Sequence, residues 1–177
     1  MPARKCAIPS NIFAMQEEIQ IRLIQPADNA TLATIIRSVL EEFGANKPGT
    51  VYFDRETDFL YELFKSTPRS AYQVALLNGI LVGGAGVFPT PELPEGMCEL
   101  VKMYLLPVAR GKGIGKVLIE GAFDQARKLG YRKMYLETMP ELKTAIGMYE
   151  KMGFSYLKGS LGKSGHNGCD IWMEKTL

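Results

Sequence analysis

The stretch Arg110-Gly111-Lys112-Gly113-Ile114-Gly115 constrains this chain more than any other. It stands between an apolar run, Cys98 to Leu106, that reads as a strand and an amphipathic run, Lys116 to Leu129, that reads as a helix. Three glycines at alternating positions remove every Cβ that would hold a ligand away from the backbone. The loop feeds a helix N-terminus, where the first N–H groups have no intrahelical partner and the macrodipole is positive. A strand, a bend of bare amides and a helix are therefore joined in one unit. That unit binds phosphate, and a pyrophosphate is its natural guest. Arg110, Lys112 and Lys116 add positive charge at the same place.

Two common phosphate motifs fail on spacing. A P-loop needs a glycine, four residues and then Gly-Lys-Ser/Thr; Gly162-Lys163-Ser164 has the right end, but the upstream glycine position holds Leu157. The dinucleotide fingerprint, started at Gly113-Ile114-Gly115, finds Leu118 at its last glycine position. What remains is Arg-x-x-Gly-x-Gly, made by Arg110, Gly113 and Gly115. This resembles the acetyl-CoA signature of the GNAT superfamily of N-acetyltransferases. The resemblance is carried by Cys98 to Phe154, about a third of the chain. There a strand runs to Pro107, followed by the signature loop and its helix. A second strand follows over Lys133 to Thr138, and then a helix ending in Tyr149-Glu150-Lys151-Met152-Gly153-Phe154.

Periodicity gives the rest of the order. Ile19 to Ile24 alternates like a half-buried strand. A helix runs from Asn29 or Ala30 to about Phe43 and stops at Gly44, and a second helix is expected over Asp54 to Phe64, ended by Pro68. Asn78-Gly79 joins strands Ala71 to Leu77 and Ile80 to Phe88 as a tight hairpin, because a type I′ turn needs positive φ at both positions. Thr138 and Glu141 have capping-box spacing before the helix that Gly153 ends. Phe154 to Leu157 and Cys169 to Glu174 complete the set as the last two strands. The expected fold is a single α/β domain over 19–177. Its central mixed sheet of about seven strands is largely antiparallel and is flanked by about four helices. The GNAT fold has this order. Residues 1–18 read as a flexible tail or an early start, with Met15 just before Gln16-Glu17-Glu18.

Composition narrows the class. A hydrophobic content of 46% over 177 residues supports a buried core, and a net charge of +2 does not suggest a nucleic-acid partner. No apolar run approaches the roughly eighteen residues of a membrane span. Three cysteines, Cys6, Cys98 and Cys169, form no disulfide framework, which fits free thiols in a reducing cytoplasm. No cysteine sits in a nucleophile context, and a metal site built on His166 and Cys169 would lack ligands. A homodimer is left open.

The resemblance implies roles for named residues. The loop amides of Gly111, Lys112, Gly113, Ile114, Gly115 and Lys116 would hold the CoA pyrophosphate, with Arg110 at the first signature position. From the residues alone, Arg110 also reads as a surface arginine that closes the loop. Matching Pro107 to the family's proline puts Met103 and Leu105 where a splayed strand offers its backbone to the pantetheine arm, and the amide near Leu105 where it could support an oxyanion. Tyr149 matches the family's proton donor to the departing thiolate. Glu137, at the end of the second core strand, and Glu99, early on the first, are two candidate bases between which the sequence does not choose. The asparagine that many members carry after the second core strand is replaced by Leu142. His166, Tyr104 and the loop from Gly44 to Tyr52 are candidate acceptor-side elements. The implied activity is acetyl transfer from acetyl-CoA, without a metal, to a primary amine by direct attack. The acceptor is open, from small amines to protein N-termini. The alternative is a non-catalytic CoA-binding sensor or interaction module on the same fold.

Overall fold

The computed structural model describes residues 17–177. The tail expected over residues 1–18 lies outside the described residues except for its last two. Of these, Glu18 exchanges backbone and side-chain hydrogen bonds with Asn78, and Glu17 pairs with Lys112.

Seven strands form one sheet: β1 (Ile19–Leu23), β2 (Ala71–Leu77), β3 (Ile80–Phe88), β4 (Met97–Leu105), β5 (Lys133–Thr138), β6 (Ser155–Tyr156) and β7 (Ile171–Thr176). Their order across the sheet is β1-β2-β3-β4-β5-β7-β6, antiparallel throughout except for the β4–β5 pair. Among the described residues four α-helices flank it: α1 (Asn29–Glu42), α2 (Leu60–Ser66), α3 (Ile114–Lys128) and α4 (Lys143–Lys151). Asn78 and Gly79 both have positive φ, 51° and 77°, and Leu77 pairs directly with Ile80, so the hairpin forms as its turn residues require.

Each face of the sheet carries its own core. On the α3 and α4 face, Ile114, Leu118 and Ile119 are fully buried against Cys98, Leu100 and Met134. On the α1 and α2 face, Leu32, Ile36, Leu40 and Leu60 pack on Tyr72 and Val74. Each such aliphatic side chain contributes roughly 1.5–3 kcal/mol by leaving water. Two anchored cores thus hold the central strands while the segments beyond them shape the site.

Three boundaries differ from expectation, for identifiable reasons. The helix expected from Asp54 starts as a 3-10 turn, Arg55–Phe59, and becomes α-helical only at Leu60. Asp54 is extended, and its carboxylate reaches Lys102 and His166 instead of capping the turn. Thr138 does not form a capping box, because it is still paired with Ile171 in the sheet and α4 starts only at Lys143. The helix after the signature loop starts at Ile114, so the last two loop residues already belong to its first turn.

Candidate active site

The signature loop sits where the sequence puts it. Gly113 is the N-cap residue of α3 with φ 80° and ψ −6°, a left-handed conformation that costs an L-residue roughly 1–2 kcal/mol. A Cβ built on Gly111 or Gly113 would meet nothing within 4 Å, so these glycines face open space. Among the described residues, no amide from Gly111 to Lys116 makes an internal hydrogen bond of ordinary geometry. These donors border a cavity of about 340 Å³ lined by Gly111, Gly113, Gly115, Met103, Leu105 and Tyr149, among others. Lys116 is exposed and lies 3.7 Å from Glu120, whereas Lys112 is engaged with Glu17. Arg110 turns away from the bend. Its Nε donates to the Leu105 carbonyl at 3.1 Å, its two terminal nitrogens donate to Glu42 at 2.6 and 2.7 Å, and it covers the Phe43 ring. In this conformation Arg110 closes the loop onto α1.

The strand leading to the loop is released from its neighbour. Parallel pairing of β4 with β5 covers only Met97↔Lys133, Cys98↔Met134 and Glu99↔Tyr135. Beyond Glu99 the two strands diverge, and Met103 and Leu105 line the cavity from the freed half of β4. On the other edge β4 stays paired with β3 through an irregularity opposite Ala85, where Lys102 has φ 50°. The extra residue of that bulge brings Lys102 and Val101 to one cavity wall.

That wall belongs to a second cavity, also about 340 Å³, on the α2 side of β4. Glu99 lines it and is only 4% exposed. One of its carboxyl oxygens accepts from the Thr90 hydroxyl, and the other has no partner among the described residues. Burial pushes this carboxyl up to about 7, against the opposing pull of the Thr90 hydrogen bond. Asp54 sits nearby and is held down at about 2, where the His166 and Lys102 hydrogen bonds and charge overcome desolvation. Both partners meet the same oxygen, His166 Nε2 at 3.0 Å and Lys102 Nζ at 2.9 Å. Glu137, the other candidate base, lines neither cavity; its oxygens accept from Tyr135 and Ser164, each at 2.8 Å. The segment between β6 and β7 is thereby tied down. It is fixed again where Gly168 N–H donates to the Gly49 carbonyl and Lys163 N–H to the Pro91 carbonyl.

Tyr149 reaches the first cavity from α4. Its helix ends in a Schellman motif: Phe154 N–H donates to the Tyr149 carbonyl at 3.0 Å, Gly153 N–H donates to Glu150 at 3.0 Å, and Gly153 has φ 86°. The Phe154 ring then packs edge-on to Tyr149 at 5.8 Å and against Phe123 of α3 at 5.9 Å. The final Gly-Phe of the sequence motif therefore fixes the tyrosine. Burial makes its phenol a weaker acid than usual, and the hydroxyl's polar contact is the Met103 sulfur at 3.8 Å.

A bare-amide bend at a helix start beside a forked strand pair is the architecture expected from the signature. A family profile described as the acetyltransferase (GNAT) family matches residues 36–154. The chain belongs to the GNAT family. It is 41% identical over 169 residues to the uncharacterised N-acetyltransferase YjgM of Escherichia coli K12, covering 94% of this chain and 99% of that protein. Its fold matches a GNAT acetyltransferase from Staphylococcus aureus (TM-score 0.75, 19% identity, 90% of this chain and 99% of that one). It also matches the PaiA N-acetyltransferase of Thermoplasma acidophilum, solved in complex with coenzyme A (TM-score 0.70, 22% identity, 90% and 99%). The chain is thus an acyltransferase enzyme.

Within this GNAT site, Leu142, which replaces the family's asparagine, is the N-cap residue of α4 and offers the first cavity an apolar surface. Tyr104 lines the same cavity, and His166 lines the second. The Gly44 to Tyr52 loop contributes through Gly49, which holds Gly168. Sequence reasoning missed Asp54, Thr90, Lys102 and Ser164. Only Lys102 left a signal, as one of two charged residues, with Glu99, inside a mostly apolar strand. Burial pushes the Cys98 and Cys169 thiols up to about 12. Among the described residues no group of three metal-ligating side chains converges, and no helix is long and apolar enough to cross a membrane.

Proposed function

We propose that this chain is an acetyl-CoA-dependent N-acetyltransferase acting on a primary amine by direct transfer in a ternary complex. One observation carries the reading. Two differently built cavities adjoin along β4, one at its freed half and one at Glu99, the last residue paired before the fork.

The first cavity fits coenzyme A. Free amides from Gly111 to Lys116 supply donors for a pyrophosphate, and the α3 dipole adds positive potential. The unpaired edge of β4 near Met103 and Leu105 suits the amide-bearing pantetheine arm, and Arg110 braces the loop. The coenzyme A complex of the PaiA protein supports the same occupant. Bound there, acetyl-CoA supplies an activated acetyl thioester.

The protein's remaining task is proton transfer. An amine with pKa about 10.4 is roughly one part in two thousand neutral at pH 7, a cost of about 4–5 kcal/mol. Glu99 takes that proton. A carboxyl titrating near 7 is half ionised at neutral pH and still basic enough to accept. Glu137 acts as a positioning residue for the loop, since both its oxygens are engaged. Tyr149 donates to the departing sulfur; its buried phenol stays protonated, and no strong acceptor competes for its hydrogen. The thiols of Cys98 and Cys169 are protonated at neutral pH, which argues against an acyl-enzyme on either.

The test is CoA thiol release from acetyl-CoA with a panel of amines. Acceptor-dependent, saturable release that Tyr149→Phe slows about 10²-fold is expected. Saturable CoA binding with no release for any acceptor, and no effect of Tyr149→Phe, would instead identify a CoA-binding sensor.

A further inference from the structure

The second cavity restricts which amine can enter. Its walls are apolar where Leu63, Phe64, Phe88 and Val101 line it, and its polar groups are unlike. Glu99 offers one unpartnered carboxyl oxygen from an almost completely buried position. Lys102 offers the opposite charge. Its side chain is 7% exposed, and its ammonium makes one hydrogen bond, to Asp54, among the described residues. An ammonium carries three donors, so two remain for a ligand. Asp54 cannot serve as a second cation site without competition, because Lys102 and His166 already share one of its oxygens. The remaining charged groups, Glu56 and Lys163, are exposed at the rim, where Lys163 pairs with Glu92.

We infer that the acceptor is a small amino carboxylate with an apolar body, its amine directed to Glu99 and its carboxylate to Lys102. This rests on the proposed N-acetyltransferase reading and names the substrate class of that site. A diamine of similar length would bring its second cation against Lys102, a like-charge contact in a poorly solvated place. A plain alkylamine would leave the two Lys102 donors without an acceptor once water is displaced. A long peptide is disfavoured because the segment between β6 and β7 is sewn down over this side at Gly168, Lys163, Ser164 and His166. The bulge that carries Lys102 to the cavity holds a lysine at positive φ, an uncommon backbone state for a residue with a side chain.

The experiment compares kcat/KM for matched acceptors with the full chain and acetyl-CoA. The panel holds L-leucine, L-phenylalanine and 6-aminohexanoate, together with leucinamide, phenylalaninamide, isoamylamine and 1,4-diaminobutane. At least one amino carboxylate should exceed its uncharged or dicationic counterparts by tenfold or more. Lys102→Gln should lower that preferred activity at least tenfold and the activity on the carboxamides by a clearly smaller factor, so that the preference between them falls. Lys102→Met should repeat the result, with CoA affinity and melting temperature reporting that both variants are folded. Transfer to amides or diamines as efficient as to amino carboxylates, or an unchanged preference in both variants, overturns the inference and leaves the acetyltransferase standing. CoA binding without transfer to any acceptor removes the acetyltransferase reading and this inference with it.

Discussion

The two cavities that border β4 are built in opposite ways. The first joins the bare amides of one short run at the start of α3 to apolar side chains from α1, β4 and α4. The second gathers charged and polar side chains from β4, the turn before α2 and the segment between β6 and β7 against an apolar wall from α2, β3 and β4. A backbone site needs only local conformation, which glycines enforce. A side-chain site needs the whole topology before its members meet. On the proposed reading the first recognises what every reaction shares, and the second recognises what differs from one substrate to the next.

Removing the carboxylate at the fork should break this division most sharply. Glu99→Gln is expected to lower kcat by about 10²–10⁴-fold while leaving KM for acetyl-CoA nearly unchanged. The wild-type pH profile should rise with slope one up to about pH 7, because the deprotonated form is the base, and that limb should vanish in the variant. Stability should move the other way. A carboxyl raised from 4.5 to about 7 binds a proton in the folded state that the unfolded chain has released, so folding stability falls as pH rises across that window. Its span corresponds to about 3 kcal/mol, and urea titrations at pH 8 should find Glu99→Gln more stable by up to that amount.

A substitution confined to the donor side sharpens the contrast from the other direction. Gly113→Val should raise KM for acetyl-CoA by about tenfold or more, while acceptor preference stays as in the wild type. A Cβ at this position meets no atom within 4 Å, so the loss is expected from left-handed strain and from a side chain beside the proposed pyrophosphate donors. The smallest effect is expected at Arg110. Arg110→Lys loses the two-pronged contact with Glu42 and the bond to the Leu105 carbonyl, but the pair is partly exposed. KM for acetyl-CoA should rise about two- to fivefold, in line with the 0–1 kcal/mol of such pairs, with kcat within about twofold. Steady-state kinetics with both substrates varied separates all three.

The same division explains what could be read before folding. The bend at Gly113, the Asn78-Gly79 turn and the Gly153-Phe154 helix end are local, and each stands where its residues demand. Asp54, Lys102 and His166 meet across 48 and 112 residues of chain, and nothing in their immediate neighbours announces it. That distant pairing also misplaced the helix start at Asp54, since a carboxylate committed elsewhere cannot cap the turn behind it. Glu99 and Glu137 were indistinguishable as strand carboxylates. What separates them is that Glu137 accepts on both oxygens and Glu99 on one, a property of neighbours brought in by folding.

The one-residue irregularity in β4 opposite Ala85 has a consequence for how this protein can change over time. Before it, Cys98 and Leu100 join the core beneath α3 while Glu99 and Val101 look to the other side; after it, Met103 and Leu105 rejoin that core. If the proposed sites hold, mutation at one set of positions can explore new acceptors while the other set keeps its grip on the donor. A single strand thus lets diversification and constancy proceed independently.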